Sequence, residues 1–159
     1  FVNTLVQRFD EDSLAYSWDI GNYHFVQLNN YPTYAASSIK IKSAIAWLKT
    51  DLATATKNGQ HIVLNFHDYG EHMPQDDPDF LDAIKGANVV ALFAGHTHTV
   101  GDSGTIHGTQ IPFFRSGASE YNRFLLVEFG SNYMNVGVIN SLSGTAKFVN
   151  NQTKTYVFP

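Results

Sequence analysis

His61-Ile62-Val63-Leu64-Asn65-Phe66 and Asn88-Val89-Val90-Ala91-Leu92-Phe93-Ala94 are short, nearly continuous apolar runs, and each leads into histidine, the first at His67 and the second through Gly95 at His96-Thr97-His98. Apolar runs of this length without alternation are the pattern of strands covered on both faces, as in a parallel sheet. Parallel neighbours need a crossover, and residues 77–85 between the two runs read as a short helix. Upstream, Ile41, Ile45, Leu48 and Leu52 recur at spacings of three and four, one face of a helix that Gly59 would stop. Further upstream, Tyr16-Ser-Trp-Asp-Ile and Tyr23-His-Phe-Val-Gln-Leu flank Gly21-Asn22 and read as a hairpin. The order strand, helix, strand, helix, strand predicts right-handed crossovers.

From Gln110 onward the helical period disappears. Residues 110–114, 123–129, 133–139, 145–149 and 155–158 read as successive strands, with Gly130-Ser131 and Ser143-Gly144 as turns. The fold class expected is therefore mixed α/β at the start and antiparallel sheet at the end. With 159 residues, 43% of them hydrophobic, there is material for one ordinary core and not for two, so one domain or one large piece of a domain is expected. The chain opens on Phe1-Val2-Asn3 without methionine, which points to a piece of something longer.

Composition excludes several chemistries. There is no cysteine, so thiolate nucleophiles, disulfides and cysteine-ligated metals are out, and any transition metal must sit on histidine and oxygen. The net charge of −4 and the lack of any lysine/arginine cluster argue against general nucleic-acid binding. The aromatic residues lack interleaved basic ones and read as core and sheet packing. No apolar run approaches the roughly 20 residues that span a bilayer, so no membrane anchor is expected. Asn151-Gln152-Thr153 is a minimal glycosylation triplet of a kind that occurs by chance, and the compartment stays open.

Ligands of open α/β sheets sit outside the carboxyl ends of the strands, which makes His67, His96 and His98 candidates for one shared site. If the chain stays extended past Gly95, residues 96 and 98 point to the same side, and Gly95 supplies the freedom to bend. A lone histidine at a strand end is usually a hydrogen-bonded surface residue; Gly-His-X-His after an apolar strand is the rarer pattern that favours metal. His24 and His61 fall within or at the start of strands and read as structural, and His107 has no partner in sequence. His72 lies in an acidic, turn-rich stretch beginning at Asp68, a loop beside the site, where both are candidates for substrate contact. Ser116-Gly-Ala-Ser119 lacks the spacing of a nucleophile elbow.

Phe93-Ala-Gly-His-Thr-His98 resembles the closing motif of the calcineurin-like metallophosphoesterases, which include purple acid phosphatases and bacterial phosphodiesterases. Tyr16 to Leu28 is similar to the hairpin after that family's third motif, Ala46-Trp-Leu-Lys-Thr-Asp-Leu52 to the next helix, Ile62-Val-Leu-Asn-Phe-His67 to its fourth motif, and Arg115-Ser-Gly-Ala-Ser119 with Phe124-Leu-Leu-Val-Glu-Phe129 to strands closing its second sheet. The resemblance implies a two-sheet β-sandwich flanked by helices and a dinuclear centre of iron, manganese or zinc that hydrolyses phosphomonoesters or phosphodiesters. His67 and His96 would bind one metal and His98 the other.

The family's Asp-X-His pair, bridging aspartate and Asn-His pair have no counterpart here. Gly21-Asn22-Tyr23-His24 imitates the last of these but lies downstream of its place, and aspartate at position 68 departs from the pattern. Residues 1–159 are therefore expected to be the C-terminal half of a single domain, weakly active or inactive alone, with one metal or none. Its partners would be a phosphate-ester substrate and the missing N-terminal half, which would cover an apolar sheet face. The alternative is a non-catalytic module in which the three histidines hold one zinc, with Asp68 or Asp102 as a further ligand.

Overall fold

The structure is a computed structural model that describes residues 6–142 and 144–158. Its elements are β1 (Arg8–Phe9), β2 (Tyr16–Ile20), β3 (Tyr23–Gln27), α1 (Ile45–Lys57), β4 (His61–Phe66), α2 (Pro78–Ile84), β5 (Val89–Ala94), β6 (Val100–Thr105), β7 (Pro112–Ser116), β8 (Arg123–Phe129), β9 (Tyr133–Asn140) and β10 (Lys147–Val157). Single 3-10 turns lie at Ser37–Ile39 and Ser119–Tyr121. Seven strands form one sheet in the order β1-β2-β3-β4-β5-β7-β6, and β10-β9-β8 form a second, antiparallel one.

Strands β3, β4, β5 and β7 are parallel neighbours, with β2 and β6 added antiparallel at the flanks. Both middle strands are buried at five of six positions, which explains their unbroken apolar sequence. One face of this sheet, with Val26, Ile62, Leu64, Phe66 and Leu92, packs on Leu48, Leu52 and Ala55 of α1 and Phe80 of α2. The other face, with Tyr23, Val63, Ala91 and Phe114, meets Met134 and Val136 of β9 and Phe158. The fold is a mixed α/β arrangement of three layers, helices on a seven-stranded sheet on a three-stranded sheet.

Local chemistry sets the helix ends. Asp77 caps α2 by accepting the N–H of Phe80 at 3.0 Å, and Pro78 opens the first turn. Helix α1 stops in a Schellman motif: Gly59 has φ +72°, its N–H donates to Thr56, and Gln60 N–H donates to Ala55. The helix begins at Ile45, not at Ile41 as the spacing suggests, because Ile41 is drawn into a bridge with Ala36.

The strand expectations need one correction and two additions. The predicted strands 145–149 and 155–158 are one strand, β10, interrupted by a bulge: Phe148 pairs with Ile139, yet Thr153 pairs with Gly137. Strands β1 and β6 went unrecognised, β1 because it has two residues and β6 because Val-Gly-Asp-Ser-Gly-Thr has no apolar pattern. Of the expected turn Ser143-Gly144, Ser143 lies outside the described residues, as does the Phe1-Val2-Asn3 opening. Among the described residues no helix is long and apolar enough to cross a membrane.

Candidate metal centre

Strands β4 and β5 run side by side, with Phe66 opposite Ala94, and the ladder continues one step as Gly95 N–H donates to the His67 carbonyl at 2.9 Å. Adjacent parallel strands ending together bring residues 67 and 96 to the same sheet edge. The His67 and His96 rings meet at right angles, with Nε2 of His67 3.0 Å from Nδ1 of His96.

Beyond β4 the chain folds back on Asp68. Its carboxylate is fully buried and accepts the backbone N–H of Glu71 at 3.3 Å, that of His72 at 3.0 Å, and a bond from His72 Nδ1 at 2.5 Å. Burial pushes this carboxyl up, but the two His72 bonds, the nearby His96 and the Glu71 N–H outweigh it and hold the group below the ordinary carboxylate range. His96 turns its other nitrogen to the same place, with Nε2 3.1 Å from Glu71 Oε2 and 4.0 Å from Asp68 Oδ2. One ligand atom each from Asp68, His72 and His96 lie within 4.8 Å of one another.

This donor set fits a transition metal. Metal–ligand bonds of about 2.0–2.2 Å place tetrahedral ligand atoms about 3.4 Å apart, so binding an ion means that His72 Nδ1 gives up its bond to Asp68 and opens from 2.5 Å while His96 Nε2 closes from 4.0 Å. One carboxylate and two neutral imidazoles suit zinc, iron or manganese. Asp68 is preorganised by its backbone bonds, while the His72 side chain is exposed.

Two residues that sequence reasoning passed over support the loop. Arg115 is buried at the end of β7 and donates to the carbonyls of Gly95 at 2.9 Å and Tyr69 at 2.6 Å, tying both histidine-bearing segments together. Its guanidinium lies over the Phe113 ring at 4.8 Å. Burial lowers the Arg115 pKa, opposed by the charges of Asp68 and Glu71. An arginine inside an apolar strand, Pro112-Phe-Phe-Arg, is the signal that could have marked it; Glu71 carried none.

The expectation of an extended chain past Gly95 is incorrect. His96 has φ +65° and His98 φ +59°, both left-handed, and Thr97 N–H turns back to Gly95 O at 2.9 Å. Positive φ on two side-chain-bearing residues in one turn is strained backbone, which concentrates at functional sites. The bend falls on the histidines and not on Gly95, and the two imidazoles go separate ways. His98 Nδ1 pairs with Glu120 Oε1 at 2.7 Å beside Tyr121, in a cavity of about 640 Å³ that also touches Arg123 and Leu142. His67 lines another groove with Asn29, Asn65 and Ser116.

The remaining candidates lie elsewhere. Asp102, offered as a zinc ligand in the alternative reading, instead binds Lys154 and Tyr156. His24 is buried between Asp19 and Asp51, and His61 is buried against Tyr23 and Phe158. His107 donates its backbone N–H to the Tyr69 hydroxyl.

No family model matches the sequence, and no curated protein matches it. Among solved structures, the chain is similar to wild-type Vps29 from Entamoeba histolytica complexed with zinc, at 12% identity and a TM-score of 0.44, over 91% of this chain and 61% of that one. It is also similar to Vps29 from Cryptosporidium parvum, at 11% identity and a TM-score of 0.41, over 96% of this chain and 64% of that one. The chain thus spans less than two thirds of the length of either.

Proposed function

We propose that this chain is a metal-binding module in which Asp68, His72 and His96 hold a single transition metal. The observation that carries the reading is the convergence of three donor atoms within 4.8 Å around a buried, preorganised carboxylate. His67 stands at the flank of that position through its contact with His96, and His98 lies outside it with Glu120. A bound ion would supply positive charge and Lewis acidity at the sheet edge. Asp68 would compensate that charge from a fixed position, and Arg115 would keep the two ligand-bearing segments in register.

Hydrolysis of phosphate esters is the second reading. It is favoured by the groove of about 330 Å³ in which His67 is flanked by Asn29, Asn65 and Ser116, a set of polar groups beside the metal position. In that reading the chain is the C-terminal half of a calcineurin-like metallophosphoesterase domain, and carboxylates for a second metal come from an N-terminal half. The uneven sandwich supports such a complement. The second sheet has three strands facing seven, and among the described residues β8 is one of its two edges. Beside it Tyr16, Trp18 and Phe25 form a stacked ladder, with Phe9 52% and Ile20 63% exposed on the same face.

The test is zinc titration by calorimetry with elemental analysis. One ion per chain is expected, with affinity lowered at least tenfold by His96→Ala and unchanged by His98→Ala. Retention of full affinity in His96→Ala sinks the placement. Two ions per chain, with turnover of p-nitrophenyl phosphate or its bis-ester, favour the second reading.

A further inference from the structure

We propose that the cavity beneath the β10 bulge is a binding site for a small aromatic monocarboxylate, independent of the metal centre. Its existence follows from the strand register. Phe148 pairs with Ile139 and Thr153 with Gly137, so residues 149–152 of β10 face only Val138 of β9. The extra residues arch away, with Asn151 at φ +62°, and leave Val138 without a ladder partner on that side. Bulges of this kind re-aim side chains or end pairing at sheet edges.

Under the arch, the two sheets enclose about 220 Å³. Val100 and Phe114 from one sheet and Val136 and Val138 from the other make an apolar floor, and Gly101 keeps the wall thin. A dry cavity of about 150 Å³ accommodates benzene, so this one has room for a ring and a small head group. Ligand sites combine such a floor with a few placed polar groups.

The mouth is rich in donors. Asp102 accepts from Lys154 Nζ at 2.5 Å, Tyr156 OH at 3.0 Å and Gly104 N–H at 2.9 Å, so its charge is balanced by Lys154 and its oxygens are occupied by three donors. Lys154 is 59% exposed at its side chain and has two N–H groups left over. The Asn151 and Gln152 amides line the same rim. Burial and Asp102 push the Tyr156 phenol up to about 12, so it stays a neutral hydroxyl at ordinary pH. A ligand with an apolar body and a carboxylate head satisfies both halves; an amine would face the lysine.

The experiment is an amide-resolved NMR titration of the protein with sodium benzoate against matched sodium chloride. Saturable shifts are expected at Gly101, Val138 and Gln152, with none from benzylamine. Lys154→Met should weaken benzoate at least tenfold, and Val138→Phe, which fills the floor, should abolish binding. If Val138→Phe does not fold, Val138→Ile adds one carbon to the same floor and should weaken binding about threefold. No saturable shift, shifts scattered over the surface, or undiminished affinity in Lys154→Met overturns the proposal.

Discussion

Replacing Asp51 by asparagine tests the charged cluster beneath the β2–β3 hairpin. Asp51 is 2% exposed on α1 and receives Arg8 Nη1 at 2.6 Å, Ser17 Oγ at 3.0 Å and His24 Nε2 at 2.8 Å. His24 is fully buried, and its other nitrogen lies 2.5 Å from Asp19. Burial lowers the His24 pKa, but the bonds and charges of Asp51 and Asp19 outweigh it, so the net shift is upward. Asp51 is shifted downward, burial again being outweighed by His24 and Arg8. Breaking a buried pair by removing one partner costs about 3–5 kcal/mol. Here Asp19 remains and Arg8 is partly exposed, so about 3 kcal/mol is expected, the low end. With a urea m-value of about 2 kcal/mol/M, the unfolding midpoint should fall by about 1.5 M. The pH dependence carries the sign. The raised His24 pKa stabilises fully below the ordinary histidine value of 6.5 and is lost as pH rises through the folded value. The lowered Asp51 pKa stabilises above 3.8 and is lost as pH falls through its folded value. The gap between wild type and Asp51→Asn should therefore be widest between pH 3.8 and 6.5 and narrow in alkaline solution. A midpoint indistinguishable from that of wild type, or a gap constant from acid to alkaline pH, refutes a charged His24.

Three further outcomes are expected. Asp68→Asn should lower zinc affinity at least tenfold by calorimetry, because it removes the only buried carboxylate of the donor group. Leu48→Ala should cost about 2–5 kcal/mol in urea unfolding, since Leu48 is fully buried between α1 and the sheet. Gly117→Ala should cost at least about 2 kcal/mol by the same measure, because φ is +83° and the new Cβ would sit 2.6 Å from the Arg123 carbonyl, a backbone atom with little room to yield.

Much of the framework was legible because the signals were local and redundant. The apolar runs of β4 and β5, the Asp77-Pro78 start of α2, the Gly59 stop and the Gly21-Asn22 turn each carry their own physical reason. What escaped was decided at longer range. Strand β6 is polar and owes its place to pairing with β7, as in Gly101 opposite Arg115. The single β10 was read as two strands because its bulge, Val149-Asn-Asn-Gln152, looks like a loop in sequence while its two ends pair with the same neighbour.

The candidate site shows the same division more sharply. Strand ends brought His67 and His96 together, which needs only that β4 and β5 be adjacent and parallel. The choice of the other ligands depended on backbone turns that no spacing rule encodes. Two left-handed residues, His96 and His98, separate imidazoles that an extended chain would have aligned, and send His98 to Glu120. The loop after β4 does the opposite: by donating two N–H groups to Asp68 it buries a carboxylate and carries His72 to its side. A buried carboxylate is costly unless donors or a cation compensate it. Asp68 has the donors of its own loop, Arg115 at a distance and the two imidazoles, and together these hold its carboxyl below the ordinary range. The metal reading therefore rests on the convergence of Asp68, His72 and His96, to which the histidine motif contributes one ligand.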